Sequence, residues 1–554
     1  MTAGLRYIVT IPPMRHRLPT LFATLLLGCT EERPVKAPIA ESVPPTYVEA
    51  AIHEVPLTCA DPGLRETLGP MSRHSGAEWD AQPVEVAVEG QGSSGWGAAV
   101  ADFDGNGELD AYLPGHAEDT VFFAVGGTFV RGSDPLPQAT SYPTNGAVPI
   151  DLEGDGDVDL ALVSGGVQAL LVNDGTGRFS DRIGPELAPA VFHVSAGDVD
   201  ADGDLDLIYA VMRDDVVPSA SDPTGSSLPP GWPSRLLLND GTGVFTDGTD
   251  RIPADTNIGY PFVVSLVDVD RDLDPDLYIA NDHGGVISNR LYRNDGGSFT
   301  DISEASGTNI VTNSMGLGIG DVNRDGLPDL AFPGNFETVL LESTDAGTWI
   351  RTDQARQLWP DESAERGVGW GTELADLDND GAEDALVNFG FWASQGESSV
   401  NFREQPDALY LWRDGVFEQV AEEWGLADRA ASRGLVVADL NDDGWLDVLK
   451  RADFEPALLS LSRCGEAAWL RVRLDQLGAN RSAVGARVEV TDGTETWTRQ
   501  VLAGATGLAS GAPPEVHFGL GDRDRVDVTV FWPDGQISAF VEVNTRHLLS
   551  ISRR

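Results

Sequence analysis

The sequence predicts an all-β protein, a seven-bladed β-propeller followed by a small all-β C-terminal domain. Two observations carry this. A nine-residue acidic motif occurs seven times in the 554 residues, with starts 49, 47, 70, 53, 55 and 63 positions apart. Short apolar strands flank the copies, and no stretch shows the sustained 3.6-residue periodicity of long helices. Repeats of roughly 40–50 residues holding about four short strands each are the mark of propeller blades. Seven motifs therefore imply seven blades.

The motif supplies alternating oxygen donors. Its odd positions are Asp102, Asp104, Asn106, Glu108 and Asp110 in the first copy, and Asp151, Glu153, Asp155, Asp157 and Asp159 in the second. The third has Asp198, Asp200, Asp202, Asp204 and Asp206, and the fourth Asp268, Asp270, Asp272, Asp274 and Asp276. Then come Asp321, Asn323, Asp325, Leu327 and Asp329; Asp376, Asp378, Asp380, Ala382 and Asp384; and Asp439, Asn441, Asp443, Trp445 and Asp447. Carboxylates at alternate positions of a tight loop offer the hard oxygen ligands that Ca²⁺ takes, and glycine at position six permits the positive-φ turn. Position nine is always Asp. Position seven ranges from Glu108 to Trp445, which fits a ligand supplied by the backbone carbonyl. An EF-hand would carry Glu at position twelve. Leu113, Leu162, Tyr209, Ile279, Phe332, Val387 and Lys450 stand there instead, so these loops join strands. Asp-Gly and Asn-Gly also make plain hairpin turns, but seven copies in phase argue for ions. Up to seven Ca²⁺ are expected. The weakest are expected at the Asp268 loop, where Leu273 replaces glycine and implies an altered backbone or strain of about 1 kcal/mol or more, and at the Asp151 loop, which has the longer Glu153.

Taken in order, residues 1–29 read as a secretory signal: Met14-Arg15-His16-Arg17 gives a basic start, an apolar core too short to span a bilayer follows, and Leu-Leu-Gly-Cys29 ends it. That ending resembles a bacterial lipobox, which makes Cys29 the expected lipidated residue, and Met14 is an alternative start. Residues 30–50, rich in Pro, Ala and Glu, read as an extended tether. The propeller is expected over 51–464. Strands such as "GWGAAVAD", "PFVVSLVD" and "SRGLVVAD" lead into the loops, and units such as "RLLLNDGTGVFTD" close blades. Residues 465–554 alternate apolar and polar residues without an acidic loop.

The repeat resembles the FG-GAP (VCBS) repeat of integrin α-subunit propellers. The runs "NRLYRNDGGSFTDIS" and "SMGLGIGDVNRDGLPDL" resemble the cartilage acidic protein family in particular. In 465–554, "GANRSAVGARVEV", "VHFGLG" and "VTVFWPDGQ" resemble, in order, the ASPIC/UnbV domain that closes members of that family. The resemblance implies calcium binding, extracellular recognition and a small all-β closing domain. The Asn480-Arg481 pair is expected to organise a turn, with the arginine on a neighbouring carboxylate.

A formal charge of −51, from 88 acidic against 37 basic residues, argues against nucleic acid, whose phosphates demand a basic surface. It also argues against direct contact with anionic lipid, leaving the lipid anchor as the only membrane attachment. Cys59 and Cys464 flank the ring on either side. In an oxidising compartment they are expected to form a disulfide that clasps it.

No G-x-S-x-G, Cys-x-x-Cys or H-E-x-x-H motif occurs, and the histidines lack ligand spacing. The expected function is therefore non-enzymatic: a monomeric, exported, envelope-anchored propeller that recognises an extracellular or envelope protein or glycan. The alternative is a secreted enzyme working on a polysaccharide through a polar central channel. Long inserts at 213–234 and 388–407, with a shorter one at 281–289, fall on the face opposite the acidic loops. Trp232, His283, Phe389, Phe391 and Trp392 in these inserts are the expected ligand-face residues; the alternative is that the aromatics cap the propeller or pack against the C-terminal domain.

Overall fold

The computed structural model describes residues 48–53, 71–75 and 95–554, except 116–117, 127, 138–143, 188–189, 213–230, 283–286, 336, 346, 359–366, 391–404, 454–456, 463–464 and 505. Seven four-stranded antiparallel sheets follow one another and form the seven blades. Their innermost strands are Ala99–Ala101, Thr144–Ile150, Ala190–Gly197, Pro261–Val267, Gly318–Gly320, Gly369–Ala375 and Ser432–Ala438. Each runs into an acidic loop, and position nine of that loop is the first residue of the next strand in all seven blades. These strands read as near-continuous apolar runs because neighbouring blades cover both of their faces. Asp206–Met212 and Pro261–Val267 are buried at every position.

The ring closes on itself. In the seventh blade Met71–Ser75, from before the first blade, pairs antiparallel with Leu458–Ser462 as the outermost strand. The innermost strand of that blade then packs beside the first blade's.

The C-terminal domain holds two four-stranded sheets. One is ordered Val48–His53, His547–Arg553, Ala468–Gln476, Val516–Gly521; the other Thr496–Gln500, Arg487–Thr491, Arg525–Phe531, Ile537–Asn544. Val48–His53 is thus an edge strand of this domain, and the boundary expected between 50 and 51 falls inside it. The inward residues of the two sheets, among them Val472, Val488, Phe518, Val528 and Ile551, form one cluster with the propeller residues Val148, Val194 and Leu317. The two domains share a core.

Candidate metal centres

Every loop has the same backbone, set by its own side chains. Positions four and six both take positive φ: Gly105 and Gly107 in the first loop, Ala201 and Gly203 in the third, Arg324 and Gly326 in the fifth, Asp442 and Gly444 in the seventh. Leu273 adopts φ 72°, in line with the glycines that share its position, so the fourth loop keeps the common fold and carries the strain. The position-one carboxylate gathers the turn: in the third loop Asp202 N–H donates to Asp198 Oδ1 (3.1 Å) and Gly203 N–H to Oδ2 (3.1 Å). Position nine is a staple. Asp206 Oδ2 accepts from Val199 N–H (3.0 Å) and Oδ1 from Asn239 N–H just past the third strand (2.9 Å). The same pair of bonds recurs in every loop, as at Asp110, Asp276 and Asp447. Two position-seven acids bond outside their loops: Glu108 accepts from Gly126 N–H and Asp274 from Gly296 N–H.

Four loops bring three carboxylates together. Asp102, Asp104 and Asp110; Asp198, Asp200 and Asp206; Asp268, Asp270 and Asp276; and Asp376, Asp378 and Asp384 each place oxygens within 4.8 Å of one another. In the third and fourth loops the buried Oδ1 atoms of Asp200 and Asp270 accept no hydrogen bond. Converging hard oxygens with orphaned acceptors fit a cation such as Ca²⁺. The electrostatics agree. Burial, eased by backbone N–H bonds and worsened by neighbouring aspartates, pushes Asp110 to about 7 and Asp206 to about 8, and holds Asp376 and Asp384 well above the carboxylate range. The loop at Asp268, expected to be weak, assembles its trio intact. The loop at Asp151 does not, because Glu153 is drawn to Arg182 (3.1 Å). In the fifth loop Asn323 replaces a carboxylate, and Ser343 Oγ sits on Asp325 and Asp329.

The C-terminal domain lies over the loop face. Arg481 reaches Asp155 O (3.3 Å), Asn480 N–H donates to Gly203 O (3.1 Å), and Gln500 brackets Asp268 through its N–H (3.1 Å) and carbonyl (2.6 Å). Glu495 pairs with Arg324 (3.4 Å), Trp497 Nε1 donates to Gly381 O (2.8 Å), and Arg471 bonds Asp439 (2.8 Å). Six of the seven loops are thus touched. Asn480 also exchanges two bonds with Val484, and Arg481 meets Asp475 (3.4 Å), the turn role expected of this pair.

From the same domain, the stretch around residues 502–512 enters the ring as a plug. Ala196 N–H donates to Ala503 O (2.9 Å), Leu317 and Gly507 exchange bonds (3.3 and 2.8 Å), and Gly511 bridges Ala98 and Val100 (2.9 and 3.0 Å). His193 lies between Val264 O and Thr506 O (3.1 and 3.4 Å), and burial lowers it to about 4, so it is neutral. Glu373 faces the plug and borders a cavity of about 170 Å³; burial, with Glu383 nearby, raises it to about 8. At the other end of the channel Trp96, Phe192, Phe262 and Trp370 pack in tilted and edge-to-face pairs, with centroids 4.6–5.8 Å apart. β-bulges at the starts of three of their strands place these rings.

Two expected ligand-face residues have other roles. Phe389 is 3% exposed in the sixth blade's core, because the strand Asp384–Phe389 runs on into the first two residues of the expected insert. Trp232 is bridged to Gly259 and packs partly buried against the central core. His283, Phe391 and Trp392, with Cys29, Cys59 and Cys464, lie outside the described residues. The plug and the position-nine staples escaped the sequence reading. The invariance of Asp at position nine, against the freedom at position seven, was the available signal for the staples.

The chain matches the FG-GAP-like repeat model over 151–209 and 268–332, and the ASPIC and UnbV model over 476–554. These matches define the class: a propeller of FG-GAP-like repeats, of the binding type, closed by an ASPIC/UnbV domain. The chain is similar in sequence to the cartilage acidic proteins. It is 28% identical over 278 residues to cartilage acidic protein 1 of Xenopus tropicalis, covering 47% of this chain and 40% of that protein. The Mus musculus and Homo sapiens proteins are each 27% identical over 274 residues, with 40% and 39% of their lengths covered. The chain thus spans about two fifths of these curated relatives. Among solved structures, an Agrocybe aegerita lectin recognising non-reducing terminal N-acetylglucosamine matches at 16% identity (60% of this chain, 83% of that one, TM-score 0.34). BBS1N in complex with ARL6DN matches at 11% (70% and 96%, TM-score 0.40). Both superpose loosely.

Proposed function

We propose that this protein is a calcium-stiffened recognition protein of the cell envelope, exported and anchored through a lipid on Cys29, whose propeller captures an extracellular or envelope protein or glycan. The carrying observation is the set of four carboxylate trios ringed on one face beneath a domain that shares the propeller's core. Ions there would brace the loops on which the C-terminal domain rests, leaving the opposite face, with its inserts at 213–234, 281–289 and 388–407, for recognition. The plug and the aromatic ring narrow the channel from its two ends, which supports recognition over an enzyme working through it. The test is to screen the lipid-free protein against glycans and envelope fractions in Ca²⁺ and in chelator, then to shorten 213–230 and 391–404 separately. Calcium-dependent capture that is lost on shortening, with melting unchanged, supports the reading. Capture that ignores both changes overturns it.

A further inference from the structure

The seventh loop departs from the others. The strand Ala468–Gln476 of the C-terminal domain crosses directly over it. Trp469 lies so close that a Cβ on Gly444 would stand 1.7 Å from the indole. His517 Nε2 and Asn379 Nδ2 both meet Gly444 O (each 3.2 Å). Between them Arg471, 1% exposed, puts Nη1 2.8 Å from Asp439 Oδ2 and 2.6 Å from Asp442 Oδ1. Glu515 Oε1 closes the far side at 2.7 Å and is itself steadied by Arg473 on its other oxygen (3.0 Å). Asp439 is the position-one residue. In the first, third and sixth loops that carboxylate takes N–H groups of its own loop, with no guanidinium on it.

We propose that the guanidinium of Arg471 is the resident cation of the seventh loop, so that this blade folds and holds the C-terminal domain without metal, and Ca²⁺ is confined to other blades. This rests on the calcium reading of the trios. A planar guanidinium matches two carboxylates through parallel charge-assisted bonds. A Ca²⁺ at Asp439 would face that fixed positive charge, and it takes six to eight oxygens, whereas Asn441 stands where each trio has its second carboxylate, so that among the described residues the seventh loop assembles no trio. The loop keeps the motif and has exchanged its ligand.

The experiment counts bound calcium by equilibrium dialysis and follows melting in chelator and in Ca²⁺, for the wild type, Asp439→Asn, Asp270→Asn and Arg471→Gln. Asp270→Asn should lose one ion, Asp439→Asn none, and Arg471→Gln should melt several degrees lower in chelator. Loss of one ion in Asp439→Asn, matching Asp270→Asn, overturns the proposal. If no variant binds calcium the calcium reading fails by itself. The resident cation is then judged on melting: a lower midpoint for Arg471→Gln in chelator upholds it, and an unchanged midpoint sinks it.

Discussion

Gly146, on the innermost strand of the second blade, and Ala509, at the tip of the plug, approach so closely that a Cβ on the glycine would lie 1.6 Å from the alanine carbonyl. Gly97 in the first blade meets the same carbonyl at 1.8 Å. These glycines are the space the plug occupies. Gly146→Val should therefore expel the plug or strain the ring, costing about 1–3 kcal/mol or more as an overpacked site does. Chemical denaturation checks it, and a wild-type midpoint would refute the tight fit.

Within one loop, ligand and staple can be separated. Asp270 has a buried oxygen with no hydrogen-bond partner, whereas Asp276 accepts from Val269 N–H (2.9 Å) and Asn294 N–H (2.7 Å). Asp270→Asn should melt like the wild type in chelator and fall behind only in Ca²⁺. Asp276→Asn turns an amide NH₂ onto a backbone N–H and should lose about 1–3 kcal/mol already in chelator, and more in Ca²⁺ because Asp276 is also a member of the trio. Equal behaviour of the two variants would erase the distinction.

Calcium should raise the wild-type melting temperature. An ion that binds only folded loops adds about 2.7 kcal/mol per site when its concentration is a hundred times Kd. Calorimetry in millimolar Ca²⁺ and in chelator measures the shift, and coincident transitions would exclude the trios as calcium sites.

Glu373 offers a pH signature. Its carboxyl holds a proton to about pH 8 in the folded protein and releases it near its ordinary value of 4.5 when unfolded. The folded state binds the extra proton between those values, so stability from this group is full below about 4.5 and is lost as pH rises through about 8. Glu373→Gln cannot titrate. It should gain on the wild type by ~2 kcal/mol between pH 5 and 9, a value below the full linkage because the group borders a polar cavity. Parallel melting curves across that range would contradict the assignment.

The clasp is tested chemically. Met71–Ser75 pairs with Leu458–Ser462, so the chain enters and leaves the ring side by side. We expect a Cys59–Cys464 bridge worth about 4 kcal/mol or more for so long a loop. Thiol titration of the unreduced, denatured protein should find neither free.

The blades were legible because their evidence is local: nine residues specify each loop, and the strands beside it are apolar on both faces. The left-handed turns at Ala201, Arg271, Arg324, Asn379 and Asp442 were not, since position four carries no glycine in those loops and the carboxylate network holds φ positive from outside the residue. The staple was half legible. Invariant Asp marked the site, but one of its two partners, such as Asn294 for Asp276, lies on another strand. The plug was illegible: "LAGATGLASGA" is small and turn-rich, and its partners, such as Ala98 and Ala196, are hundreds of residues away. Arg471 looked like an ordinary strand residue because nothing near it in sequence reveals the aspartates it neutralises.

The pairing of Val48–His53 with His547–Arg553, and of Met71–Ser75 with Leu458–Ser462, bears on how the molecule is made. A ribosome releases the first strand of each pair hundreds of residues before its mate. Early blades can stack as they emerge, but the two leading strands must wait, unpaired, until nearly the whole polypeptide has been translated. Ring closure and docking of the cap then become late events of high contact order. Loss of the final strand should leave Val48–His53 and one edge of Ala468–Gln476 unpaired.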